Sequence, residues 1–463
     1  MTRDRTSPED EYSVPAAIYE RLATATPAER GGIVLRLLQE HAGKPLALPT
    51  LADGSHVVLD GVELGREVPK RRRRCRTGAG EGPATARTAA SLRGADLRGA
   101  RLRNAKLAGV DLGDADLRNA ALGAADLRGA LLNGANLRGA DLAGANLAGA
   151  SLGTADLGGA MLEDANLRRA RLRFANLEGA ALEHADLRAA DLWGARVAGA
   201  DLASADLRGA VLHEADFRST DLSRADLRGA ACAGANFDDA VLSGANLQRL
   251  DLTGCTIARV HLSETWLEKT RLGRDQLGGA IGEELRRDYD EARKGYLALE
   301  RAFQDLGDHD AASWAYRRRR RMQKLSAWRQ ARAAGGLSRW RAWPSYFQCA
   351  GDQVSEWVCD YGESIPRALA SLLVLYLFFT LIYGLTGSVV REVETPSGVR
   401  RVVTRNPKDL AIFSLLAVST SGSPTVGLLP RNESVHFLTA AEALLGIGLT
   451  GLLGFVVGNR VRR

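Results

Sequence analysis

Only five cysteines occur in 463 residues: Cys75, Cys232, Cys255, Cys349 and Cys359. Their scattered spacing excludes a cysteine-rich zinc framework and a disulfide scaffold. The seven histidines are scattered as well. No Ser/His/Asp, metal-ligand or phosphate-loop constellation occurs, so the chain does not read as an enzyme and no cofactor is expected. The opening MTRDRTSPEDEY carries no apolar run. A signal peptide is therefore not expected, and the N-terminal bulk should stay in the cytoplasm with its thiols free. Cys232 and Cys255 read as small core fillers. The mean hydropathy of −0.15 argues against a polytopic transporter. An average still conceals two membrane spans at one end. Apolar residues make up 45%, charged residues 25% and the net charge is +7, which excludes a wholly disordered chain. The length suggests roughly three domains.

Glycine is abundant, at 50 residues, and that directs attention to repeats. From Ser91 the chain reads SLRGA DLRGA RLRNA KLAGV DLGDA, a period of five. Leucine holds the register from Leu92 to Leu272 without an insertion, which is (272 − 92)/5 + 1 = 37 pentads. Only Val197, Phe217, Cys232, Phe237 and Ile257 replace it. The position two before each leucine is nearly always alanine, and Asp or Asn usually stands just before it. A period of five suits neither a helix nor a plain strand. It suits a coil in which every fifth side chain turns inward, with Leu and Ala sharing one interior stack and Asp or Asn capping the turns.

These residues resemble the pentapeptide-repeat family, whose consensus is A(D/N)LXX. The resemblance implies a right-handed quadrilateral β-helix with four pentads per coil. Nine coils at roughly 4.8 Å give a rod about 45 Å long. Some relatives mimic DNA, which needs an acidic surface. Residues 91–272 hold 22 basic and 24 acidic residues, so the rod is nearly neutral and reads as a spacer or docking surface. A protein partner or ligand on the β-helix is expected; nucleic acid is not.

The chain divides by composition into six parts. Residues 1–69 form a small region, helical over 13–42 and then strand-like over 56–64. Residues 70–89 are a basic, Gly-rich linker opening with KRRRRCR. Residues 90–273 are the β-helix. Residues 283–334 read as a helical hairpin, with a heptad-like stripe from Leu285 to Leu306, then Trp314, Met322, Leu325 and Trp328 inward on a second helix that carries Arg317 to Arg321. Residues 337–365 are an interfacial amphipathic segment rich in tryptophan. Residues 366–463 form a two-span membrane domain.

In that domain Ala368 to Val390 carries no charge for 23 residues, enough to cross a bilayer. The first span is expected at 367–388 and the second at 437–458. Basic residues flank both outer ends, which places both termini in the cytoplasm of an inner or plasma membrane. Between them, an apolar helix over 408–420 is too short to span. It meets a small-residue turn, which is tolerated at membrane depth only where it lines water or is buried. These residues resemble the two-transmembrane-helix potassium channels. Phe413-Ser414, Ser419-Thr420, Gly422 and Pro430 match that family's pore loop, and Glu442 and Gly446 fit its second span. The resemblance assigns the filter-like loop 420–425 and makes Ser419, Thr420, Ser421, Gly422, Ser423, Pro424 and Thr425 the pore residues, with Glu442 as filter support. Ser421, Ser423, Pro424 and Thr425 depart from the family pattern. Pro424 fixes φ near −65° where a filter glycine needs positive φ. The expectation is an ion channel subunit with altered or lost potassium selectivity, passing a monovalent ion. Two spans cannot enclose a pore, so a homotetramer in the lipid bilayer is expected. The competing expectation is a membrane-anchored scaffold with a dead filter.

Overall fold

The structure is a computed structural model and describes residues 12–13, 33, 46–47, 91–333, 350–395, 398–418 and 427–461. Of the helix read over 13–42, residue 33 is helical and Ser13 is instead in a strand, while the rest of it, the strands at 56–64, the basic run at 70–76, Cys75, Cys349 and Trp340 to Phe347 lie outside the described residues. Near the N-terminus, Tyr12–Ser13 (β1) pairs in parallel with Leu46–Ala47 (β2). The chain divides into two compact units, Met1–Ala315 and Tyr316–Arg463.

Residues 91–272 form a stack of coils. Every bridge joins a residue to the one 20 positions on, from Ser91 with Asp111 to Asp251 with Arg271, and all are parallel. Twenty residues are four pentads, so one coil consumes four repeats. Within each pentad the alanine amide donates to the leucine carbonyl three residues back, as Ala95 to Leu92 at 3.1 Å. Except at Gly254, the third residue of such a turn has positive φ, 67° at Gly94 and 56° at Asn104, the signature of a type II turn. Between coils, Leu92 N donates to Asp111 O (2.6 Å) and Asp116 N to Ala95 O (2.9 Å). The backbone is thereby paired from coil to coil along the stack, with a break between Ala231 and Asp251, where the Cys232 thiol takes the Asp251 carbonyl instead.

The pentad pattern follows from this geometry. The leucine and alanine registers are buried along the stack, with Ala230 alone half-buried. Larger substitutes stack on one another: Phe217 and Phe237, one coil apart, lie face to face at 5.1 Å. Polar residues in the alanine register all find the same partner, the carbonyl 23 residues back. Thr220 Oγ1 donates to Val197 O (3.0 Å), Thr265 to Leu242 O (2.8 Å), Thr270 to Leu247 O (2.7 Å) and Cys255 Sγ to Cys232 O (2.9 Å). Both cysteines are free and buried, as their filler role requires.

The Asp-Leu-Arg triplet explains the rod's neutrality. Asp96 Oδ1 accepts the amide of Arg98, and the Arg98 guanidinium forks onto the same carboxylate at 2.6 and 2.8 Å. Stacking coils also stacks aspartates. The arginines bridge them: Arg188 reaches Asp186 (2.5 Å) and Asp206 (3.4 Å), and Arg208 reaches Asp206 (2.6 Å) and Asp226 (3.6 Å). A column of like charge would repel without its opposite column.

The open end of the stack is closed by two side chains, which satisfy the edge. Gln276 Nε2 donates to Leu252 O and Cys255 O, both at 2.7 Å. Glu283, on the short helix α1 (Gly282–Leu285), accepts the amides of Leu262 (2.6 Å) and Ser263 (2.7 Å) through Oε1. Burial raises the Glu283 carboxyl above the usual range against the pull of those amides.

Helix α2 (Tyr289–Asp305) buries Ala292, Tyr296, Leu299 and Phe303 of the expected stripe, but Leu285 belongs to α1, before a break at 286–288, and is exposed, as is Leu306 at the C-cap of α2. Helix α3 (His309–Ala333) follows the turn at Gly307-Asp308. Trp314 meets Tyr296 edge-on at 5.6 Å, and Met322 is buried. Trp328, expected inward, is exposed, with the Arg332 guanidinium 4.3 Å from its ring centroid. The long arginine stem covers the indole in place of a core. The arginine run pairs with the helix over 350–359 (α4) and the turn after it: Arg320 with Asp352 (2.7 Å), Arg317 with Asp360 (3.5 Å), and Lys324 with Glu356.

Candidate functional site

Helix α5 (Ile365–Thr386) opens with Ser364 as N-cap, whose hydroxyl accepts the Arg367 amide at 3.3 Å. It stops at Gly387, which takes φ 59°. The first apolar helix therefore ends before Val390, the limit of the uncharged run. Val389–Thr395 (β3) instead pairs antiparallel with Gly398–Val403 (β4) and with Leu428–Pro430 (β5). This hairpin was not foreseen. Its signal is the alternating VREVET and GVRRVV around Pro396-Ser397-Gly398.

Helix α6 (Pro407–Val418) matches the expected short helix and starts at proline, which suits a first helical position. Asn406 Oδ1 accepts the Lys408 amide (3.1 Å). Buried Asp409 takes Thr404 Oγ1 (2.9 Å) and Arg391 (3.2 Å), tying the helix start to β3 and β4. Helix α7 (Glu433–Val461) follows β5. Helices α5, α6 and α7 each pack against the other two. Phe379, Tyr383, Leu410, Phe413 and Val435 form their shared core.

At the centre of this packing lies Glu442, fully buried. Its Oε2 accepts the Tyr383 hydroxyl at 2.6 Å and its Oε1 accepts the Ser414 hydroxyl. Ser414 Oγ also lies 3.3 Å from Tyr376 O. One carboxyl thus fastens the short helix to both long ones. Four residues on, Gly446 faces the end of α6. A Cβ there would stand 2.9 Å from Val418 Cγ1 and 3.0 Å from Val418 O, so only glycine admits this approach. Glu442 and Gly446 together fix the last turns of α6 against α7. Ser419, Thr420, Ser421, Gly422, Ser423, Pro424 and Thr425 lie outside the described residues. Of the expected site residues the structure describes Glu442 alone. The partners Ser414 and Tyr383 complete its setting, and Tyr383 was missed, since a tyrosine inside an apolar run reads as a lipid-facing side chain. Among the described residues no cluster of three or more His, Cys, Asp or Glu is arranged to hold a metal ion.

Helices α5 and α7 are both long and apolar enough to cross a membrane. Leu369, Leu373, Leu377, Leu381 and Leu385, four apart on α5, are all exposed, as are Phe437, Leu444, Ile447 and Phe455 on α7.

Comparison with known proteins bears on the coil stack. Residues 88–274 match the family of pentapeptide repeats in eight copies, and the match does not extend to the membrane-type helices. No curated protein matches the chain. Among solved structures, the chain is similar to HetL, a pentapeptide repeat protein involved in heterocyst differentiation regulation from the cyanobacterium Nostoc sp. strain PCC 7120, at 29% identity over 52% of this chain and 94% of that one, with a TM-score of 0.32. It is also similar to a pentapeptide repeat protein from the Arabidopsis thaliana thylakoid lumen, at 30% identity over 20% of this chain and 61% of that one, with a TM-score of 0.17. A third is QnrB1, a plasmid-mediated fluoroquinolone resistance protein, at 18% identity over 41% and 96%, with a TM-score of 0.21. The coil geometry and the family match agree: residues 88–274 of this chain match pentapeptide repeats, and residues 91–272 of them are wound into a β-helix.

Proposed function

We propose that this chain is a subunit of a membrane ion pore, with the pentapeptide repeats as a right-handed, four-sided rod in the cytoplasm. The observation that carries the reading is the Glu442 network. A buried carboxyl is expensive between membrane-type helices and is retained where it does a job. Here it holds a helix too short to span a bilayer against two that are long enough. A short helix fixed in that way, followed by a small-residue turn, is the plan of a re-entrant pore loop. On this reading the small-residue sequence Ser419–Thr425, which lies outside the described residues, supplies the constriction. Its Pro424 disfavours a stack of inward carbonyls, so serine hydroxyls and hydrated ions replace the close coordination of a selective potassium filter. No cofactor takes part.

Two spans per chain cannot surround a pore, so four copies assemble about one axis in the lipid bilayer of an inner or plasma membrane. The exposed leucine column on α5 and the apolar face of α7 supply the lipid and subunit contacts. Both termini lie on the cytoplasmic side, and the helices over 283–334 connect rod to pore. Pro424 also favours a second reading, a non-conducting scaffold that anchors the β-helix to the membrane. Native mass spectrometry of the detergent-solubilised chain tests the assembly. Four copies are expected; a monomer or a dimer would rule out a pore built from this loop.

A further inference from the structure

The closed end of the β-helix carries a cleft that the pore reading does not use. It lies between one face of the last coils and helices α1 and α2, and measures about 730 Å³. Ser223 and Ser243 stand 20 residues apart on successive coils, so their hydroxyls form a ladder with roughly the 4.8 Å strand spacing. Neither hydroxyl has a protein partner among the described residues. Ser263, the next rung, gives its hydroxyl to Glu291. At the floor, Glu283 has one oxygen committed to the Leu262 and Ser263 amides. Its other oxygen, Oε2, is buried without a hydrogen-bond partner, with His261 Nδ1 at 3.8 Å. A buried acceptor left unpaired is costly and marks a place where a donor is missing. Arg224 and Arg286 line the same cleft and form no salt bridge among the described residues, whereas Lys294 is held by Glu264 and Glu291 at 2.8 Å each. Asp288 adds a second acceptor at the edge, and no Trp, Tyr or Phe lines the cleft.

We propose that this cleft binds a small hydroxylated organic anion of the sugar-phosphate class. Arg224 and Arg286 take the anionic group, because guanidinium forks suit phosphate oxygens. Ser223 and Ser243 exchange hydrogen bonds with sugar hydroxyls, and one hydroxyl donates to Glu283 Oε2. The polar walls offer no surface on which a nucleobase would stack. The ligand touches both the coil face and α1, so its binding favours the docked cap over any state in which α1 leaves the coil.

Isothermal titration calorimetry on the full chain in detergent tests this with ribose 5-phosphate, glucose 6-phosphate and glycerol 3-phosphate at millimolar concentration. Inorganic phosphate and free ribose serve as the two fragments. At least one sugar phosphate is expected to bind, with each fragment weaker by about tenfold or more. Arg286→Ala and Ser243→Ala are each expected to weaken binding about tenfold, and Arg118→Ala, on a distant coil, to leave it unchanged. Arg286 is exposed and Ser243 half-buried, so both variants should fold, which circular dichroism checks. No heat with any sugar phosphate, binding indifferent to both substitutions, or phosphate alone binding as tightly would each overturn the proposal.

Discussion

Removing one hydroxyl at the centre of the three-helix packing around Glu442 should cost far more than its size suggests. Tyr383→Phe keeps the ring, which packs edge-on against Phe413 at 5.2 Å, and deletes only the 2.6 Å bond to Glu442 Oε2. Hydrogen bonds to a carboxyl of this kind contribute about 1.5–3 kcal/mol. Ser414→Ala deletes the bond to Oε1. Either variant leaves the carboxyl one partner. The double variant leaves a fully buried carboxyl with none, so its cost should exceed the sum of the singles by about 0.5–3 kcal/mol. SDS titration of the detergent-solubilised chain, followed by circular dichroism, reads the three values. Single costs below about 0.5 kcal/mol, within the range of an ordinary surface substitution, would refute the claim that Glu442 fastens α6 to both long helices.

Three further outcomes follow from the same geometry. Leu142→Ala empties part of a fully buried rung and should cost the rod about 3–5 kcal/mol, read as a lower denaturation midpoint by circular dichroism. The arginine two residues on holds the carboxyls of Asp96, Asp116, Asp126, Asp186 and Asp216 below the usual range. That stability is fully present above the unfolded carboxyl value of about 3.9 and is lost as pH falls through the lower folded values, so the rod's melting temperature should drop steeply below about pH 4. A flat profile into strong acid would contradict the ladder. Gly446→Val drives a side chain into Val418 and should abolish ion flux while the assembly mass is unchanged; flux at the original level would show that the end of α6 does not shape the pore.

The rod was legible because its sequence and its geometry share one period. Every fifth residue points inward, so the leucine and alanine registers name the core before any coil is drawn. The thresholds that sequence cannot supply are relational: that Thr220, Cys255, Thr265 and Thr270 answer the carbonyls 23 residues back depends on coil stacking. Helical stripes were less reliable. Trp314 and Met322 point inward, but among the described residues Trp328 is exposed and meets the Arg332 guanidinium instead. The strand hairpin after the first span was hidden because its arginines and valines read as a charged loop. In the candidate site, Glu442 stood out as a carboxyl in an apolar run. Tyr383 did not, because nothing in the sequence separates a tyrosine facing lipid from one facing a buried acid 59 residues away.

Ion flux from the purified chain in liposomes tests the central claim most directly. Potassium, sodium and chloride gradients are applied separately, with Gly422→Val beside the unaltered protein. Flux of a monovalent cation with weak preference between potassium and sodium is expected, abolished by Gly422→Val. Absence of flux under every gradient from a tetrameric preparation, or flux that Gly422→Val leaves intact, would contradict it.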